Sequence, residues 1–403
     1  MKNSLKRIIS TIVALTMTIL MMSDGLLFGQ QVRAEADHEL TTEEKEILDG
    51  FSSSLKDDET IQKLKSIGEL DGLIEELKQN YESGRKQDLK DRLRLLSLWE
   101  LSLNDTLSDI REKASVYLNK YVPGVVIGTP SFDEYVSNAF YGDSGRLYAR
   151  SEEDPEFGAL YLYMCLHHEK LQGNGAYTDM VLKPADGQNS DDITLSQIIE
   201  ADYRYNFAET TVPSILREYL NTRQLTFNPP WPALNGDNVQ WYARQYSQTD
   251  AGNTAEYPYF SGADCTNFVS QALFYGGLYK TYITSDQTAN GFVETTARWF
   301  YFSNSSATGY SMATCWSRVV ELYTYLSPHY ATHEALANTG MNSYLNKGFV
   351  LQGRQFLGTY KHSVIIVSVN GTLKFCAHSN KRRDENLSTF YDGFYMCRVI
   401  QMY

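Results

Sequence analysis

The stretch that most restricts how this chain can fold is His362-Ser363-Val364-Ile365-Ile366-Val367-Ser368-Val369, followed by Asn370-Gly371 and then Thr372-Leu373-Lys374-Phe375-Cys376-Ala377-His378. β-branched side chains fit a pleated surface, and Asn-Gly supplies the two positive-φ residues of a tight hairpin turn. The pattern predicts an antiparallel hairpin. It places His362 and His378 on opposite arms, at the end away from the turn, within reach as cross-strand neighbours.

A second stretch, Gly262-Ala263-Asp264-Cys265-Thr266-Asn267-Phe268-Val269-Ser270-Gln271, predicts the helix that covers such a sheet. Asp264 reads as an N-cap, and Phe268, Val269, Ala272 and Leu273 recur with helical spacing. Cys265 then falls in the first turn, where free backbone N–H groups and the helix dipole favour a thiolate. A helix-terminal Cys, a His at a strand start and a polar residue on the next strand make a nucleophile, base and orienter set. Cys265 and His362 are the first two members. For the third, His378 and Asn380 fall on one face of the strand by alternation, with His378 favoured. Asp264 reads as a cap rather than a base, or else as a group that supports the reacting pair or the oxyanion from beside it.

Together these residues resemble the putative amidase domain family, within the NlpC-type and papain-like cysteine hydrolases. The blocks that carry the resemblance span about the last 170 residues, the size of one domain. In order they are Asn238-Val239-Gln240-Trp241-Tyr242-Ala243, Tyr257-Pro258-Tyr259-Phe260, Asp264 to Gln271, Trp316 with Leu322-Tyr323-Thr324-Tyr325-Leu326, His362 to Val367, and Ala377-His378-Ser379-Asn380. The chain departs from the family at Gly348-Phe349-Val350-Leu351-Gln352, where an acidic residue often follows the glycine. The resemblance implies a papain-like or NlpC-like α+β domain with the Cys helix packed on an antiparallel sheet. It implies acyl transfer: Cys265 attacks an amide carbonyl, His362 moves the proton, and the Cys265 backbone N–H helps to hold the oxyanion. It requires no cofactor and no metal. His378 follows the NlpC pattern and Asn380 the papain one, while Tyr259 or Tyr257 is either an oxyanion-side hydroxyl or an aromatic packed on the helix. The substrate implied is a peptide or amide, with cell-wall peptides suited to an exported enzyme.

The chain opens Met1-Lys2-Asn3-Ser4-Leu5-Lys6-Arg7, then runs apolar from Ile8 to Met22, with small residues near Ala34 and Ala36. This reads as a secretory signal peptide over residues 1–36. The mature chain is therefore expected outside the cytoplasm, in contact with a membrane only during export. Residues 37–225 carry 36 acidic against 20 basic residues, whereas 226–403 carry 11 against 12. That break, beside Asn228-Pro229-Pro230-Trp231-Pro232, predicts an acidic, mainly helical accessory domain over 37–225 and a catalytic domain over 226–403. The acidic half argues against a nucleic-acid partner, since phosphate contacts need basic surface.

The helical half is read from Thr41-Thr42-Glu43-Glu44 as a helix opening, from a long periodic run between Leu89 and Tyr121, and from segments 157–171 and 195–207. His167-His168-Glu169 reads as helix surface. Asp186 to Asp192 reads as a loop without EF-hand spacing. His329 and His333, one helical turn apart if helical, lack the order of a metalloprotease motif, and Cys-x-x-Cys occurs nowhere. Five cysteines leave at least one thiol free in an exported chain. Cys265 is expected to be that one, and Cys376 and Cys397 are expected to be buried apolar groups rather than a disulfide. Three readings stay open: a cysteine amidase or peptidase, an acyl or peptide transferase with the same pair, and an inactive surface-binding module.

Overall fold

The computed structural model describes Leu64 and residues 67–403, except 142–145, 185–186, 209–214, 216–218, 220–230, 232, 249–255, 338–339 and 380. The signal-peptide stretch, the Thr41 helix opening, Asn380 and most of the proline-rich run at 228–232 lie outside the described residues. Among the described residues seven helices come first: α1 (Leu70–Leu98), α2 (Leu107–Tyr121), α3 (Pro130–Tyr141), α4 (Leu147–Glu153), α5 (Phe157–Leu171), α6 (Gly175–Val181) and α7 (Leu195–Asn206). After them come α8 (Gly236–Tyr246) and α9 (Cys265–Tyr275). The strands β1 (Gly291–Val293), β2 (Tyr301–Ser303) and β3 (Tyr310–Ala313) then precede α10 (Thr314–Ser317) and α11 (Val319–Leu326). The chain continues through β4 (Ala331–Leu336), β5 (Val350–Arg354), β6 (Tyr360–Val369), β7 (Thr372–Ala377) and β8 (Arg382–Asn386), and ends with α12 (Leu387–Tyr391) and β9 (Met396–Gln401). This is an α+β fold. No described helix is long and apolar enough to cross a membrane.

The main sheet has the order β4-β9-β5-β6-β7-β8, with every neighbouring pair antiparallel. The hairpin is β6–β7, in register from Ile365 opposite Cys376 to Val369 opposite Thr372. Its turn is closed by Asn370 (φ 52°) and Gly371 (φ 79°), the left-handed pair that Asn-Gly was read to provide. One sheet face receives α9 and α11: Thr266 of α9 and Val319 of α11 both bond to residues of that face, Ser363 and Gln352 respectively. The opposite face carries Phe390 and Phe394. Val239, Phe268, Val269, Leu273, Trp299, Trp316 and the inward residues of β5 and β6 form one core.

The periodic run from Leu89 to Tyr121 is two helices, not one. Glu100 takes a left-handed φ of 53°, and Thr106 and Asp109 build a reciprocal capping box that starts α2 afresh. Segment 157–171 is α5 as expected, but His167-His168-Glu169 is not a helix surface. His168 and Glu169 are buried, and His168 stacks on Phe140 with ring centroids 4.1 Å apart. His329 and His333 do not share a helix either. His329 stacks on Trp231 at 3.8 Å, while His333 lies in strand β4 against Tyr344 at 3.4 Å, so the helical spacing never arises.

A second core joins α2, α5 and α7 to Phe356, Leu357, Tyr360, Tyr395 and Met396 of the sheet half. A buried ionic cluster crosses the same surface. Arg92 of α1 pairs with Asp88 at 2.7 Å and with Asp202 of α7 at 2.6 Å, and donates to the Phe356 carbonyl at 2.8 Å. Asp202 also accepts from the Gly358 amide at 2.8 Å, and Glu169 accepts from the Thr359 amide and from Lys361 Nζ, both at 2.7 Å. The helical half therefore holds residues 356–361, the segment leading directly to His362. Close helix packing supports it: a Cβ on Gly158 would collide with the Trp99 ring. Gly158→Ala is expected to cost about 1–3 kcal/mol of overpacking strain, measured by urea unfolding of the full chain.

Candidate active site

The segment before α9 turns through Gly262 (φ 76°) and delivers Cys265 to the first position of the helix. Asp264 precedes it but makes no side-chain cap, contrary to the reading from sequence. Its carboxylate instead accepts from the Phe260 amide at 3.1 Å and the Asn267 side-chain amide at 2.8 Å. The other oxygen lies 2.6 Å from His378 Nδ1, and both side chains are buried. Competition for one carboxylate explains the missing cap: a ring nitrogen and two amides already occupy it.

His378 extends the hairpin past β7. Its ring stacks on Phe268 at 5.3 Å and meets the Tyr259 ring edge-on at 5.2 Å. His378 is thus on the α9 side of the sheet and engaged with Asp264. Tyr257 is a core aromatic between Tyr301 (4.9 Å) and Trp316 (6.1 Å), which is the packing alternative rather than the oxyanion one. Tyr259 is the upstream tyrosine that borders the site.

His362 sits in β6 opposite Gly353, where Phe394 covers the strand pair; its ring stacks on Phe390 at 6.1 Å and Phe394 at 6.2 Å. Ser363, the next residue, points to the α9 face, as alternation requires. Its amide faces the Cys265 sulfur, and its hydroxyl accepts from Thr266 Oγ at 3.2 Å. The sulfur therefore lies against the residue that follows His362, while the imidazole flanks that residue from the other face. Among the described residues no hydrogen bond joins the Cys265 thiol directly to His362 or His378; its side-chain neighbour is Thr266 Oγ at 3.7 Å.

The helix terminus does not make Cys265 acidic. Burial pushes the thiol above its ordinary 9.0, outweighing the opposing Ser363 amide, so the resting group is a thiol. Burial, aided by Arg382, pulls His362 down from 6.5 to about 4, leaving a neutral imidazole able to accept a proton. Above about pH 4 the imidazole is neutral, and burial keeps the thiol protonated beside it. The acid limb of kcat/KM is therefore expected near pH 4 rather than near 6.5, measured as a pH–rate profile.

All five cysteines are free and buried, and burial raises Cys376 to about 11. Cys376 and Cys397 are not joined. No group of three His, Cys, Asp or Glu among the described residues could hold a metal ion. Sequence reasoning missed Gln352, Ser363, Thr266 and Arg398, a buried polar series on the α9 face. Their one signal was polarity within otherwise apolar runs.

An inward helix headed by a cysteine lies on an antiparallel sheet whose β6 carries His362 near its start. Residues 233–398 match the family described as putative amidase domain. No curated protein and no solved structure matches the chain. The amidase-domain match covers α8 through the first half of β9, and so includes Cys265, His362 and His378. At the level of the family, the match supports hydrolytic, amidase-type chemistry in this part of the chain.

Proposed function

We propose that the chain is an exported cysteine-dependent amidase or peptidase, with Cys265 as nucleophile and His362 as base. The observation that carries this reading is the Cys265 sulfur at the head of buried α9, set on the amide of the residue that follows His362. In the reaction His362 takes the thiol proton and sulfur attacks the amide carbonyl. The Cys265 backbone N–H, free at the helix terminus, faces the developing oxyanion. His362 then protonates the departing amine, and water releases the acid from the thioester.

One observation favours a second assignment of the base. His378 already has the carboxylate partner that an orienting third member would provide, Asp264 at 2.6 Å. In that version His378 takes the proton and Asp264 orients it. Single substitutions decide between them, as set out in the Discussion. The basic, apolar opening of the chain supports export, and an exported amidase suits amide bonds in cell-wall peptides. Incubation with intact cell-wall polymer and a panel of peptide amides tests this. Mass spectrometry should show new free carboxylates, and a new amide in their place would mean transfer to an amine.

A further inference from the structure

A continuous series of buried side chains runs along the α9 face of the sheet from the sulfur to β9. Arg398 of β9 donates through Nε to Gln352 Oε1 at 2.7 Å, while its guanidinium lies between the Tyr323 and Tyr360 rings at 3.6 and 3.8 Å. That bond fixes the Gln352 amide. Its NH2 group must then face the other way, where it donates to the Val319 carbonyl and to Ser363 Oγ, both at 3.0 Å. Ser363 Oγ accepts a second time, from Thr266 Oγ at 3.2 Å. A threonine hydroxyl has one hydrogen, and Ser363 already receives it. The contact between Thr266 Oγ and Cys265 Sγ, 3.7 Å, can therefore be made only with the sulfur's own hydrogen.

We propose that Arg398, Gln352, Ser363 and Thr266 form a hydrogen-bond chain that converges on Ser363 from both ends and holds Cys265 as a protonated donor, making Ser363 and Thr266 positioning residues for the nucleophile. The proposal rests on the reading of Cys265 as the reacting group. Its consequence is that Thr266 restrains the thiol in the resting site and can stabilise a thiolate only after its hydroxyl turns from Ser363 to sulfur. Charged and titratable groups reach this region from several elements. Asp264 heads α9 and is bonded to His378, His362 lies on β6 with Arg382 of β8 acting on it, and Arg398 of β9 acts through Gln352 of β5. Arg244 of α8 is paired with Asp384 of β8, and α10 brings only uncharged residues.

The test is the pH midpoint of thiolate formation at Cys265 in the full chain. It is read by ultraviolet absorbance as the difference between each protein and its Cys265→Ala counterpart. Ser363→Ala removes the acceptor of the Thr266 hydroxyl, which then turns and donates to the thiolate. The midpoint should fall by about one pH unit, roughly tenfold more thiolate at a given pH. Combining Ser363→Ala with Thr266→Val should remove that fall, and combining it with Thr266→Ser should keep it. Thr266→Ala replaces Thr266→Val if the latter does not fold. An unchanged midpoint in Ser363→Ala overturns the proposal, as does an equal fall in the Thr266→Val combination. The readout needs no substrate, so either result leaves amide cleavage by Cys265 standing. Full cleavage by Cys265→Ala would instead overturn the nucleophile and leave the chain intact.

Discussion

Cys265→Ala should abolish amide cleavage, lowering kcat/KM by roughly 10³-fold or more, because it removes the sulfur that forms the proposed acyl intermediate. The measurement is amine release from peptide amides by the purified full chain. His362→Ala should produce a loss of the same order. Combining it with Cys265→Ala should add little, since groups acting as one unit are non-additive. His378→Ala and Asp264→Asn should lower activity less and in parallel, because they share one hydrogen bond at the head of α9. If His378→Ala instead matches Cys265→Ala while His362→Ala remains active, the base is His378. If Cys265→Ala cleaves at the full rate, the cysteine mechanism falls.

The second large effect lies outside the site. Asp202→Ala should destabilise the protein by about 3–5 kcal/mol, because it leaves Arg92 and Arg354 buried without their shared carboxylate. Urea unfolding followed by circular dichroism measures this directly. The loss should also reach the active site, since Asp202 holds the Gly358 amide in the segment that leads into β6. Arg92→Met tests the same cluster from the other side. It removes the cation, the Phe356 carbonyl bond and both carboxylate pairs at once. A cost below about 1 kcal/mol for both variants, the value of an exposed pair, would mean that the cluster is not desolvated as its burial indicates.

Much of the sheet half was legible because its signals are local. The β-branched run, Asn370-Gly371 and the spacing of Phe268, Val269, Ala272 and Leu273 each reflect a preference that a few adjacent residues express alone. Other readings failed where partners distant in sequence decide. Asp264 resembles an N-cap until His378, 114 residues away, takes its carboxylate. Glu169 resembles a solvated helix residue until Thr359 and Lys361 arrive. Cys265 resembles a thiolate by its place on the helix, yet burial raises it, because desolvation depends on what is packed above the helix rather than on the helix itself.

What the sequence by itself determined is the hairpin, the inward helix, their order and the thiol and imidazole atoms they carry, since the elements follow from backbone preference and apolar period. The tertiary structure alone decided which faces those atoms occupy and who their partners are. It put Ser363 rather than His362 on the sulfur side, gave His378 to Asp264, and laid the helical half against the approach to His362. The physical reason is that hydrogen bonds and desolvation depend on distance in space, and no pattern along the chain records which residues a fold will bring within 3 Å.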